Sequence, residues 1–121
     1  MESILTSIKK MLGIAEEYNH FDSDILMHIN TVFMNLAQIG VGPSEGFVVE
    51  NDNIAWSDFI QDGLNPRVEW VKSYVYLKVR LLFDPPTSSI HTEAINRNIS
   101  ELEWRLNLAA ESDTKGGTDH E

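Results

Sequence analysis

The sequence predicts a mainly α protein, a four-helix bundle-like domain with a small β-hairpin or extended loop between its second and third helices. Three observations predict it: apolar residues recur at helical spacing in four segments, capping and breaking residues bound those segments, and residues 40–66 break the periodicity, with 14–21 a shorter polar connection. Ser3 is placed to cap a first helix running to about Leu12, with Ile4, Leu5, Ile8, Met11 and Leu12 on one side and Gly13 as its stop. Asp22 or Ser23 opens a second helix to Ile39, closed by Gly40, whose apolar face holds Ile25, Leu26, Ile29, Val32, Phe33, Leu36 and Ile39. Between Gly40 and Pro66, Phe47-Val48-Val49 and Ile54-Ala55-Trp56 are short β-prone runs flanking Glu50-Asn51-Asp52-Asn53, which reads as a hairpin with an acidic tip. Ser57 is a candidate cap for a turn of helix through Phe59 and Ile60, ending near Gly63. Pro66 suits the first turn of a third helix to about Phe83, which Asp84-Pro85-Pro86 ends. Thr87 or Ser88 caps a fourth helix from Ser89 to about Ala110. Residues 1–110 form one helical domain in this reading, and 111–121 a flexible acidic tail with nothing to bury.

Composition excludes several chemistries. With 121 residues the chain is long enough for one core without staples, since a domain of this size buries a little under ~70% of its unfolded surface. Cysteine is absent, which removes disulfides, thiolate nucleophiles and cysteine metal sites, and a cytosolic place of synthesis is expected. No apolar run is long enough for a transmembrane helix, and no signal peptide is expected because the early lysines precede no apolar stretch. The four histidines, His20, His28, His91 and His120, include no i, i+4 pair that would set two metal ligands on one helical turn. Asp22-Ser23-Asp24 and Asn51-Asp52-Asn53 lack the sixth-position glycine and closing glutamate of a calcium loop. No glycine loop cradles phosphate, and no serine sits in a nucleophile elbow. The expectation is a protein with no enzyme activity, no cofactor and no metal.

Charge is unevenly distributed. Nine Lys and Arg stand against nineteen Asp and Glu, a net charge of −10. Residues 11–66 hold nine acids and no Lys or Arg, whereas 67–110 hold six cations and five acids. A solvated acidic surface that keeps a small protein soluble is the plain explanation. The sharper one is a surface that lies near DNA without gripping it.

The helix faces carry more apolar residues than one core needs. On the third helix Val68, Val71, Val75, Val79 and Leu82 form one stripe, and Trp70, Tyr74, Leu77 and Leu81 a second. Such a helix is either the centre of the bundle, packed on both flanks, or it meets another subunit. On the fourth helix Ile95, Ile99, Leu102 and Leu106 make a core stripe, while Ile90, Trp104 and Leu108 fall opposite beside Arg97 and Glu101. Met27 and Met34 lie opposite the apolar face of the second helix. Trp is enriched among binding hot spots, so Trp104 is a candidate anchor, although a contact with residues 40–66 would also account for it.

The passage Tyr74-Val75-Tyr76-Leu77-Lys78-Val79-Arg80-Leu81-Leu82-Phe83-Asp84-Pro85-Pro86-Thr87-Ser88, followed by Glu101-Leu102-Glu103-Trp104-Arg105-Leu106-Asn107, matters most for identity. With the opening Ile4-Leu5-Thr6-Ser7-Ile8-Lys9-Lys10-Met11-Leu12-Gly13-Ile14 it resembles the head-tail connector (adaptor, or head completion) proteins of long-tailed bacteriophages and prophages, over roughly residues 3–110. The resemblance implies a structural virion protein that forms a ring, usually of twelve subunits, beneath the portal, extends the DNA channel and receives a neck, stopper or tail protein. It implies that the last helix and tail, from Trp104 through Glu121, reach the portal, with Trp104, Leu108 and Glu111 as contacts. It also implies synthesis in the bacterial cytoplasm, residence in the virion neck and no membrane partner.

A ring needs a heterologous interface. Trp70, Tyr74, Leu77 and Leu81 are candidates for one patch, and Met27 with Met34, or Trp104 with Leu108, for the other. A channel that passes DNA without specific binding should lack cation clusters, and residues 11–66 meet that requirement. Glu50 and Asp52 are therefore expected to face the channel or a neighbouring protein. The alternative function is an acidic DNA-mimic inhibitor of a host nucleic-acid-binding protein. A helix-turn-helix regulator fits worse, because no segment supplies a basic recognition helix.

Overall fold

The computed structural model describes residues 2–43, 45–59 and 67–119, with side chains described as far as Glu111. Among them the chain forms helices α1 (Ile4–Met11), α2 (Asp22–Gln38), α3 (Trp56–Phe59), α4 (Arg67–Phe83) and α5 (Ser89–Asp119). Pro66 and the expected helical end near Gly63 lie outside the described residues.

Local chemistry sets most boundaries. The Ser3 side chain accepts the Thr6 N–H at 3.2 Å, capping α1 as its sequence predicts. α2 starts at Asp22 without a side-chain cap, because its N-cap residue is Phe21, which has no acceptor, and the Asp22 carboxylate pairs with Lys9. α2 closes at Ile39 and Gly40, where the glycine takes φ +87°. A proline pair ends α4, and α5 turns back along it. The backbone of α5 continues to Asp119, past the end expected at Ala110, because no proline follows to stop it.

The expected β-hairpin does not form. Among the described residues there is no strand, only an isolated antiparallel bridge between Ser3 and Ala55. Each β-prone run finds a different partner. The Asn30 carboxamide on α2 accepts the Val49 N–H at 2.7 Å and donates to the Val49 carbonyl at 3.1 Å, satisfying both backbone groups as a neighbouring strand would. The Ile54 carbonyl instead accepts the Ile4 N–H at the start of α1, at 2.9 Å. Asp58 accepts the Ala55 N–H and fixes the entry to α3. With their hydrogen bonds spent on helices, the two runs have no reason to pair.

The core lies between α1, α2 and α4. Ile4, Ile8, Ile25, Ile29, Val32, Leu36, Val71, Val75 and Val79 are fully buried, and α3 adds Trp56. The Trp56 indole N–H donates to Ser7 at 2.8 Å, and that hydroxyl donates to the Ile4 carbonyl, so this buried indole is satisfied. Phe33 packs tilted against the Trp56 ring, and Phe33, Phe47 and Phe59 contact one another in tilted and edge-on pairs. Gly42, at φ +90°, lies under the Phe59 ring, where an added Cβ would come within 2.5 Å of the ring. α5 covers the opposite flank of α4 through Ile95, Ile99 and Leu106, and Asn107 donates to the Ile39 carbonyl at the end of α2. Thus α4 is the central helix, sheathed by α1 and α2 on one side and by α5 on the other.

Candidate functional site

Among the described residues no group of three or more His, Asp or Glu is placed to hold a metal, and no helix is long and apolar enough to cross a membrane. What the fold offers is surface: three apolar regions, an acidic loop and a set of cations.

The second stripe of α4 is divided rather than presented as one patch. Tyr74 is fully buried beneath α5, where its hydroxyl donates to Glu103 at 2.7 Å. Burial raises the phenol above its ordinary 10.0, and the Glu103 carboxylate adds to the shift by accepting the proton and by its charge. Tyr74 therefore belongs to the subunit's own interior, and its placement in an exposed patch is corrected by the position of α5. Trp70 and Leu77 are half-buried and line a groove of about 370 Å³ between α4 and α5, beside Asn98, Leu102 and the Glu101–Arg105 ion pair. Asn98 also lines a second groove of about 280 Å³, formed with Arg80, Pro86, His91, Ala94 and Ile95. Leu81 lines a separate groove where α2, α4 and α5 converge, with Asn35, Lys78, Leu82 and Ile99.

Two outer patches remain uncovered within the subunit. Met27 and Met34 are 59% and 65% exposed on the side of α2 opposite its buried residues. Trp104 is 65% exposed on the outer side of α5, with Leu108 one turn on and Glu111 a further turn away, also exposed. The Trp104 ring is largely solvated, so the described residues of the 40–59 segment do not cover it. The two patches sit on different helices and face away from the shared core.

Glu50 and Asp52 are exposed on the loop that follows Val49, and Val48 beside them is also exposed. Asn30 grips one end of the loop and Ile4 the other, while the Asn51 side chain accepts the Asn53 N–H across its tip. The acidic loop is thus held by both stems. The cations lie elsewhere: Lys78 sits over the Tyr74 ring at 5.6 Å, Arg80 donates to the Tyr76 hydroxyl at 3.3 Å, and Arg97 is exposed on α5. None of these three has a carboxylate partner among the described residues.

Two features escape sequence reasoning. Lys9 is only 2% exposed, with its ammonium 2.9 Å from Asp22 Oδ1 and donating to the Glu16 carbonyl at 2.9 Å, so it ties the α1–α2 connection to α1. Its position one residue after Ile8, on the buried side of a short helix, was the available signal. Asn30 carries no signal of its clamp, because its partner is backbone.

Comparison with known proteins agrees with this surface-rich, site-poor chain. A family model described as phage connector protein matches residues 4–113, nearly all of the helical chain. No curated protein and no solved structure matches. Proteins of this kind are structural and non-enzymatic, belong to the virion and contact other virion proteins. With the match spanning α1 through most of α5, the chain belongs to the phage connector protein family and is a bacteriophage head-tail connector.

Proposed function

We propose that the protein is a ring-forming adaptor that sits between the capsid portal and the neck or tail protein and extends the DNA channel. The observation that carries this reading is the pair of separate apolar patches on one subunit, Met27 with Met34 on α2 and Trp104 with Leu108 on α5. A subunit in a ring beneath the portal meets both neighbouring copies and the portal, so it must carry separate surfaces for them. A two-fold dimer needs only one. A subunit of a ring under the portal must also engage the portal, and Trp104, Leu108 and Glu111, on the outer side of the last helix, are assigned to that contact. Trp70, Leu77 and Leu81, at the two sides of α5, border the grooves through which neighbours approach. Glu50 and Asp52 face the channel or a neighbouring protein, and the cation-free run from residue 11 to 66 spares passing DNA the salt-sensitive grip of phosphate contacts.

Portal particles mixed with the purified protein and imaged by electron microscopy test the reading. An added ring of density below the portal, usually of twelve subunits in this family, is the expected result. Portal particles that stay bare at saturating protein overturn it.

A further inference from the structure

The subunit segregates its unpaired charge. Glu50 and Asp52 project from a loop anchored on α1 and α2, and no cation reaches them among the described residues. Arg80, whose partner among the described residues is the Tyr76 phenol oxygen, opens instead into the groove between α4 and α5. That groove shares Asn98 with the one lined by Trp70 and Leu77, and the one acid among the described residues lining either, Glu101, is held by Arg105 at 2.8 Å. The groove therefore presents apolar walls of Ile95, Ala94 and Pro86 with uncompensated positive charge at Arg80. The loop presents one apolar side chain, Val48, and two uncompensated carboxylates.

We infer that the acidic loop of one copy docks into the α4–α5 groove of the next, with Val48 against the apolar wall and Glu50 and Asp52 toward Arg80. The occupant is a second copy of this chain, chosen by charge complementarity: the free carboxylates and the free guanidinium lie on surfaces that do not meet within one subunit. Head-to-tail repetition brings each pair together, which neutralises both at a partly desolvated site. The anchoring supports the same reading. Asn30 and Ile4 fix both stems before contact is made, so little ordering entropy is lost on docking. The inference rests on the ring reading and specifies its self-contact, committing Glu50 and Asp52 to a neighbouring subunit rather than to the channel.

Absence of native cysteine makes the contact directly testable. In portal particles carrying the protein, the double variant Asp52→Cys/Asn98→Cys should form a ladder of disulfide-linked multimers under mild oxidation, with dimers at most from either single variant. Glu50→Lys/Asp52→Lys should lower ring occupancy at least tenfold at moderate salt, and adding Arg80→Glu should restore much of it. Circular dichroism of each variant checks that the exposed changes leave helix content unaltered. A ring that forms on the portal without any ladder, or charge reversals that leave occupancy unchanged, overturn the loop-groove contact while the adaptor reading stands. Bare portal particles with the unaltered protein overturn both.

Discussion

The carboxamide of Asn30 brackets the backbone of Val49, accepting its N–H at 2.7 Å and donating to its carbonyl at 3.1 Å. One side chain thereby does what a paired strand would do, and it holds the acidic loop at a fixed place on α2. Asn30→Ala should leave both backbone groups without protein partners beside a buried Val49, a loss of about 1–3 kcal/mol. Asn30→Asp should fall between, keeping the acceptor and losing the donor. Denaturant unfolding of the three proteins measures the order, and equal midpoints would show that the clamp contributes nothing.

Lys9 and Asp22 make a second testable pair. Removing the carboxylate by Asp22→Ala leaves an ammonium buried with only the Glu16 carbonyl, at a cost near 3 kcal/mol, the low end for such losses because Asp22 is partly exposed. Replacing both, Lys9→Met with Asp22→Leu, should recover most of that loss. A double variant less stable than Asp22→Ala would show that the ion pair itself, rather than the stranded charge, governs stability.

Two tryptophans should separate assembly from folding. Trp104→Ala removes a largely solvated ring, so its thermal midpoint should stay within about 2 °C of the parent while occupancy on portal particles falls. Trp56→Ala empties a fully buried site and removes the indole N–H that the Ser7 hydroxyl accepts, costing about 3–5 kcal/mol. Calorimetry and particle imaging of both variants give the comparison. Loss of helicity on Trp104→Ala would place that ring in the internal core.

Tyr74 gives the fold an alkaline limit. Its phenol is raised by burial and by Glu103, so above about pH 10 the unfolded chain releases a proton that the native state keeps. Stability from this group is present in full below that pH and falls as pH rises further. Tyr74→Phe should cost about 1 kcal/mol at neutral pH and flatten the alkaline decline. Urea midpoints on either side of about pH 10 test the sign, and equal slopes for the two proteins would refute it.

Helix positions were legible where the determinant is local. Ser3 caps α1, the proline pair after Asp84 ends α4, and the two-striped face of α4 marks a helix covered on both flanks. Residues 47–55 were not legible, because short runs of β-branched and aromatic residues report that a segment is extended but not what its backbone pairs with. The partners of Val49 and Ile54, Asn30 and Ile4, are distant in sequence and carry no strand signal. For the same reason Tyr74 looked available: its spacing matches Trp70, Leu77 and Leu81, and only the seat of α5 distinguishes a side chain beneath it from those at its sides. The outward placement of Met27, Met34, Trp104 and Leu108 follows from helical spacing alone, and the fold leaves each exposed.

The sheathing of α4 on both flanks has an evolutionary corollary. A rod whose neighbours already enclose it draws no support from the outermost coat, so side chains such as Met27 and Trp104 are free to drift with whatever particle they must fit. Descendants serving dissimilar heads can then diverge almost beyond alignment while retaining the same order of helices.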